Sequence, residues 1–582
     1  MSDANPALPR TRRLWIAALL GLLTTLVLAR ASVEVGYVRD EGIYFAASRQ
    51  YAAWAAHVVR EPGKALARAE RDRYFRINHE HPALLKLLAG VSALAFAQPP
   101  QPGTAEDGIR DDGGLWPIMT EGAAMRLPAQ ALAGLGVALL FATAAAWGGV
   151  LAGLLAAGAF ALLPHVAFHA QLHAFDVPVA VAMLAVVLAY RAAQRSRGWG
   201  IAAGVVLGVA IAIKHNALFL GPLLALHHAV TLLHARRRGH VLRWRQWLPL
   251  SLVSMAILGP LVAWLLWPWL WAEPVARIGE YFAFHRQHAY YNMEFLGTNY
   301  NQPPMPIAYP FVMTLATVPS VIVALAIAGA VVSVRDELAA PGNELAAPGT
   351  ELAAPGTEAA AVGSAATPLP PGWPRGDGLL LLIMALFPLL LIAWPTTPIF
   401  GGTKHWITAY PFVALLAARA WIALWRRVEA PRWRPWLALL LCLAPGAIAT
   451  VDAHPFGMSQ YGAVVGGARG GARLGLGRGF WGHAIARELP ELPTWLGRAR
   501  RLYVHDVHEL AVLQYRREGR WPAGIESVPL ARAQAGLVFH ELHMATWEYQ
   551  LWEQLGEVAP THVVTLDGVP LTSVYVDPRA RR

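Results

Sequence analysis

Two adjacent carboxylates, Asp40 and Glu41, stand where the first long apolar run of the chain ends. Residues 14–28 are almost uninterruptedly apolar, and the chain then reads Glu34-Val-Gly-Tyr-Val-Arg-Asp-Glu-Gly-Ile-Tyr44. Carboxylates at a membrane edge are costly to desolvate unless water, a cation or a partner receives them. A working acid or base is therefore the first expectation. Other polar residues recur at the ends of later apolar runs. They are Asn78-His79-Glu80-His81-Pro82-Ala-Leu-Leu-Lys86, His173 with Asp176, Lys214-His215-Asn216, and Lys404-His405. The carboxylates supply acid–base chemistry, and the lysines supply cations for a phosphate. A lone lysine at a membrane edge is usually a snorkelling or structural residue. Three lysines on one side, together with an acidic pair, favour a functional site.

The elements that must hold these residues follow from composition. The chain has 582 residues, 56% hydrophobic and 15% charged, against about 25% charged in ordinary soluble proteins. Long apolar stretches recur, so the expected fold class is an α-helical polytopic membrane protein with a small C-terminal α/β soluble domain. About eleven spans are expected on the ~20-residue criterion. They cover 14–32, 128–147, 149–168, 177–194, 200–213, 216–234, 247–268, 310–333, 378–394, 407–425 and 435–451. The fifth is short and reads as a helix that ends early against a cavity.

Basic clusters orient these spans. Arg10, Arg12 and Arg13 precede the first, and Arg191, Arg195 and Arg197 follow the fourth. Arg236, Arg237, Arg238, Arg243 and Arg245 follow the sixth, and Arg426, Arg427, Arg432 and Arg434 follow the tenth. The positive-inside rule then places the N-terminus in the cytoplasm. Loops 33–127, 269–309 and 395–406 and the segment 452–582 fall outside. This pattern accounts for the net charge of +11 without a nucleic-acid partner. The single cysteine, Cys442, excludes an intramolecular disulfide. No clear small-residue cleavage site precedes Glu34, so the first run reads as an anchor rather than a secretory signal.

The expected domains are a membrane domain, 1–451, and an extracytoplasmic C-terminal domain, 452–582. In the first outer loop, Tyr44, Ala47, Tyr51, Trp54, Ala55 and Val58 recur at helical spacing, as do Leu84, Leu88, Val91 and Ala95. Each set predicts a helix on the membrane surface with its apolar face down. The stretch 267–309 carries Trp267, Trp269, Trp271, Tyr281, Phe282, Phe284, Tyr290, Tyr291 and Phe295, with His285, Arg286 and His288 among them. It reads either as an interfacial belt or as a lid over a site. The cytoplasmic stretch 334–376 repeats Glu-Leu-Ala-Ala-Pro-Gly from Glu337, Glu344 and Glu351. Pro-Gly in each unit breaks a helix, so a flexible linker is expected. In the C-terminal segment, strand-like runs (501–504, 562–566, 572–576) alternate with helix-like ones (507–517, 540–555). No Walker A or dinucleotide-binding glycine motif occurs. His79-Glu80-His81 could bind a divalent cation but lacks the His-Glu-x-x-His spacing, so such a cation is possible but not indicated.

An Asp-Glu pair after the first span, a His-Pro segment ending in Lys, and an Asp opening the fourth span together resemble a known group. It is the protein O-mannosyltransferase and aminoarabinose-transferase (PMT-type) group of GT-C glycosyltransferases. The resemblance covers roughly residues 10–450. His81-Pro82-Ala83-Leu84-Leu85-Lys86 is similar to the His-Pro-Pro-Leu-Gly-Lys segment of the mannosyltransferases and departs from it at Ala83 and Leu85. The stretch Gly466-Gly467…Gly475-Leu…Phe480-Trp481-Gly482 looks like that of bacterial members with an outer C-terminal domain.

The resemblance implies an inverting transfer from a polyprenyl-phosphate-linked sugar donor to a hydroxyl-bearing acceptor, on the outer face of a bacterial inner membrane. Asp40 is then the general base, and Glu41 orients the site or holds acceptor hydroxyls. Lys86, Lys214 and Lys404 bind the donor phosphate. His79, His81, Asp176 and His405 are candidate substrate-binding residues. Membrane lipids hold the prenyl chain, and no cofactor is implied. A transporter or flippase of a lipid-linked sugar is the alternative. Transporters also bury charges in the membrane, but the two-fold repeats common among them are not visible in this chain.

Overall fold

Apolar composition sets where the chain is helical. The computed structural model describes residues 8–104, 112–237, 242, 244–286, 289–339, 377–428 and 430–581. Helix α1 (Arg10–Ala31) is followed by α2 (Arg39–Arg60), two short helices (Pro62–Ala65 and Arg68–Tyr74) and α3 (Leu84–Phe96). Helix α4 (Glu121–Ala161) is capped by the Thr120 hydroxyl, which accepts from the Ala123 N–H. It unites the expected second span with the start of the third across a kink at Gly148–Gly149, where Gly149 has φ +82°. The third span stops short of its expected end, because Pro164 opens a separate helix, α5 (Pro164–Ala170).

Next come α6 (Asp176–Ala192), α7 (Arg197–Ile213), α8 (Leu220–Arg237), α9 (Leu250–Leu265) and α10 (Pro274–Arg286). A short antiparallel hairpin, β1 (Met293–Phe295) and β2 (Thr298–Tyr300), precedes α11 (Tyr309–Thr317). The expected eighth span is broken at Val318-Pro319 into α11 and α12 (Ser320–Ala339). The residue before proline is driven to extended backbone, and Val318 has ψ 133°. Helices α13 (Asp377–Ala393), α14 (Tyr410–Trp425) and α15 (Arg434–Ala453) complete the bundle.

Among the described residues, five helical stretches are long and apolar enough to cross a membrane: Arg10–Ala31, Glu121–Ala161, His215–Arg237, Ile407–Trp425 and Arg434–Ala453. The closest helix pairs meet at small residues, as expected where backbone contact rather than hydrophobic exclusion drives packing. A Cβ on Gly134 of α4 would sit 2.3 Å from the Gly21 carbonyl of α1, so that crossing admits no side chain. The first linker repeat begins at Glu337, in the last turn of α12. The later repeats at Glu344 and Glu351, and also Arg238, Arg243 and His288, lie outside the described residues.

The C-terminal segment forms a five-stranded mixed sheet of order β4-β3-β5-β7-β6. Its elements are β3 (Arg501–Val504), α16 (Glu509–Arg517), β4 (Glu526–Ser527), β5 (Ala535–Phe539), α17 (Ala545–Leu555), β6 (His562–Leu566) and β7 (Val569–Val576). Strand β3 runs parallel to β4 and β5, whereas β7 is antiparallel to β5 and β6. The β6–β7 turn is Asp567-Gly568, both with positive φ, as a tight hairpin requires. The core of this sheet is continuous with Tyr37 and Phe45 of the 33–127 loop and with Ala124 and Met125 of α4.

A separate cluster, in which Ala47, Tyr51 and Trp54 pack with Phe75, Ala83, Trp267 and Trp269, corrects the reading of α2. Its stripe of Tyr44, Ala47, Tyr51 and Trp54 is buried within the protein instead of lying on lipid. The polar tips explain why: the Tyr51 hydroxyl donates to the Ile77 carbonyl at 3.0 Å, and the Trp54 indole to the Ala65 carbonyl at 3.0 Å. On α3, by contrast, Leu88 and Val91 are exposed, while Leu85 and Ala89 on the other face are buried.

Candidate active site

Where the 33–127 loop meets α4, two buried charges are fully matched. Glu41, in the first turn of α2, is 0% exposed. Its carboxylate is held by the Arg126 guanidinium at 2.8 and 2.6 Å and by the backbone N–H groups of His173 at 2.7 Å and Val38 at 3.1 Å. Arg126 uses its remaining N–H groups on the carbonyls of Ser32, Val35 and Gly36. Both Glu41 oxygens are therefore occupied, which leaves no lone pair aimed at an acceptor hydroxyl. Glu41 ties together the entry to α2, α4 and the turn before α6.

Lys86 is matched in the same way. It is buried under the ring of Tyr51, and its ammonium donates to the Asn78 carbonyl at 2.5 Å, the Asn78 Oδ1 at 2.9 Å and the His81 carbonyl at 3.0 Å. These three acceptors exhaust its donors, so Lys86 stitches the 78–81 turn and offers nothing further to a phosphate. Burial nevertheless pulls its pKa down to about 7.

The neighbouring charges differ. Asp40 is half-buried, and its carboxylate has no hydrogen bond or ion pair among the described residues. It and Asp176 lie within electrostatic reach of Lys404. Lys404 is buried in a short turn (Gly402–His405) that Gly401, at φ +87°, makes possible. Its ammonium lies 3.5 Å from the Trp481 ring centroid, 5.0 Å from that of Phe400 and 5.5 Å from that of Phe480. Among the described residues no oxygen is within hydrogen-bond distance of it. Burial pulls Lys404 down to about 8, against the opposing pull of Asp40 and Asp176. The α7 helix ends at Lys214, whose backbone is extended, and Lys214 donates to Asp176 Oδ1 at 2.7 Å. Asp176 itself sits at the N-terminus of α6, where the helix dipole favours a carboxylate. Asp40, Asp176, Lys214 and Lys404 therefore form one cluster, and Glu41 and Lys86 flank it as scaffold.

The histidines stand apart. His405 turns back onto Phe400, accepting from its N–H at 3.0 Å and contacting its carbonyl. Burial pushes it down to about 3, so its ring is neutral. His79 is half-buried and packs at a tilt on Trp269, centroids 4.7 Å apart. His81 contacts the Glu80 carbonyl and packs beside Phe175 and Tyr44. Burial and the Lys86 charge hold it well below the usual histidine range. In the aromatic loop, Trp267, Trp269 and Tyr281 pack with Tyr51, Trp54 and Phe75, so this part of it is core. Among the described residues, no group of three or more His, Cys, Asp or Glu could hold a metal ion.

Sequence reasoning missed Arg126 and Trp481. The signal for Arg126 was an arginine at the span end that the basic clusters lead one to expect outside, against the positive-inside bias. Trp481 lies in the glycine-rich stretch that carried part of the family resemblance. Its carbonyl accepts from the Arg39 N–H at 2.9 Å, which joins the aromatic wall of Lys404 to the residue before Asp40. Arg39 also pairs with Asp506 of the C-terminal sheet region. The Tyr37 N–H donates to the Tyr515 hydroxyl at 2.6 Å, and a Cβ on Gly42 would meet the Ala511 nitrogen at 2.4 Å. The C-terminal segment thus clamps the start of α2 from both sides of Asp40.

Residues 118–264, which contain Arg126, Asp176 and Lys214, match the family model described as dolichyl-phosphate-mannose-protein mannosyltransferase. No curated protein matches the chain. Two crystal structures of ArnT from Cupriavidus metallidurans align with it. The form bound to undecaprenyl phosphate is 16% identical, with a TM-score of 0.45 over 97% of this chain and 99% of that one. The apo form is 15% identical, with a TM-score of 0.47 over 97% and 98%. Over residues 118–264 the chain resembles the mannosyltransferase family, which bears out the family resemblance expected from its sequence.

Proposed function

We propose that this protein is a membrane glycosyltransferase that moves a sugar from a polyprenyl-phosphate donor to a hydroxyl acceptor with inversion. The observation that carries the reading is the pairing of an open carboxylate, Asp40, with a buried cation, Lys404, that has no anionic partner of its own. Asp40 takes the proton of the acceptor hydroxyl as its oxygen bonds to the anomeric carbon. The bond from that carbon to the phosphate oxygen breaks, and the phosphate leaves with the electron pair. Lys404, with Lys214 beside it, stabilises the charge that grows on the leaving group. The apolar helix faces receive the prenyl chain. The basic clusters support chemistry on the extracytoplasmic side of a bacterial inner membrane, with the N-terminus cytoplasmic and the 452–582 segment outside.

The test is transfer by the purified protein in detergent, with radiolabelled polyprenyl-phosphate sugars and a panel of protein, lipid and glycan acceptors. Label should move to an acceptor although no sealed compartment exists. If activity appears only in sealed vesicles, as movement of donor across the bilayer, the protein is a transporter and the reading falls.

A further inference from the structure

One buried polar side chain at this place has no task in the mechanism above. His169 lies in the last turn of α5 and is 1% exposed. Among the described residues, neither of its ring nitrogens has a hydrogen-bond partner. Buried polar atoms are almost always matched, and those that are not point to a ligand or a water. The His169 ring meets Trp481 edge-on, centroids 5.8 Å apart at 76°. The same indole carries the Lys404 ammonium 3.5 Å from its centroid. Trp481 adopts φ +70°, which is unusual for a bulky residue and is a strain that working sites tend to retain. An imidazole without a partner and an ammonium without an acceptor are thus gathered around one strained tryptophan. A single oxyanion beside that ring would match both.

We propose that His169 is a phosphate-binding residue that donates a ring N–H to the phosphate of a polyprenyl-phosphate ligand, beside Lys404. A neutral imidazole offers one donor and adds no charge, so it directs the phosphate where Lys404 only attracts it. The assignment rests on the donor reading above and extends it by a residue from the α5 turn, which lies far in sequence from both Asp40 and Lys404.

The experiment titrates the full-length protein in detergent with undecaprenyl phosphate, undecaprenol and inorganic phosphate. His169→Phe should weaken undecaprenyl phosphate about tenfold or more, whereas His169→Gln, which keeps a donor, should stay within about threefold. Undecaprenol should bind both variants equally, and inorganic phosphate should compete with the lipid in the wild type. His169→Leu replaces the Phe variant if that one does not fold. If His169→Phe binds the lipid phosphate as tightly as wild type while Lys404→Ala loses it, the role of His169 is overturned and the donor reading stands. If undecaprenol binds wild type as tightly as undecaprenyl phosphate does, both fall. If inorganic phosphate binds through His169 but the lipid does not displace it, the site reads free phosphate and the lipid assignment is overturned.

Discussion

Two lysines of this protein are buried to a similar degree and lie against aromatic rings, yet they sit in opposite kinds of site. Around Lys86, the 78–81 turn supplies three oxygens and the ammonium is complete. Around Lys404, the chain supplies three rings and no oxygen among the described residues. The adjacent carboxylates divide in the same way. Glu41 is closed off by Arg126 and two backbone N–H groups, whereas Asp40 is open. A buried charge that the fold has already matched holds the fold together. One that the fold leaves unmatched costs stability in the free protein and gives a ligand of opposite charge something to gain.

The sharpest way to break this comparison is to remove charge from each carboxylate in turn. Asp40→Asn should lower transfer by about 10²–10⁴-fold, the usual worth of a general base, with an unchanged melting temperature. Glu41→Gln should do the reverse: it strands the buried Arg126 and should destabilise the protein by about 3–5 kcal/mol. Thermal melting alongside the transfer assay separates the two. An Asp40→Asn protein of full activity would sink the mechanism, and a Glu41→Gln protein of wild-type stability would show that its buried pair is not structural.

The lysines come next in size. Lys404→Met should weaken undecaprenyl phosphate binding by about 10–100-fold, the worth of a charged hydrogen bond, and should leave the donor-free protein at least as stable as wild type. Lys86→Met should keep donor affinity within about twofold but leave buried oxygens on Asn78 and His81 unpaired, which lowers stability by about 1–3 kcal/mol. Exchanged outcomes would assign the phosphate to Lys86 and reverse the comparison. Lys214→Ala should act more mildly on donor affinity, since Lys214 is partly exposed and already shared with Asp176. An unchanged apparent donor affinity removes Lys214 from the phosphate site.

The open half of the site was legible in the sequence, and the closed half was not. Asp40, Asp176, Lys214 and Lys404 stand out as charges at the ends of apolar runs, where solvation is poorest. Glu41 carries the same signal, but its partner Arg126 is 85 residues away and only the fold brings them together. The acceptors of Lys86 are two backbone carbonyls and an amide oxygen, which residue types alone do not announce. His405 and Lys404 are neighbours, yet His405 bonds the Phe400 backbone while the Lys404 ammonium lies over Trp481. In the C-terminal segment, strands β3, β6 and β7 and both main helices could be read from periodicity, whereas the two-residue edge strand β4 could not. The central strand β5, Ala-Gly-Leu-Val-Phe, is buried at every position. It therefore lacks the alternation that marks a half-exposed strand.

The smallest expected effect is a difference in the sign of two pH profiles. Burial sets Lys404 at about 8 in the folded protein, against about 10.4 in an unfolded chain. Between these values the unfolded state binds more protons, so the stability of the donor-free protein should rise with pH over this range. Lys86, at about 7, adds a rise of the same sign that begins lower. Donor binding needs the Lys404 ammonium and should run the other way, weakening about fourfold by pH 8.5 as the proton leaves. Lys404→Arg, which stays charged, should flatten the binding profile and leave the Lys86 part of the stability profile intact. Melting temperature and undecaprenyl phosphate affinity, measured together from pH 6.5 to 9.5, test this. Affinity that holds level or rises across that range would mean that Lys404 is not the cation that meets the phosphate.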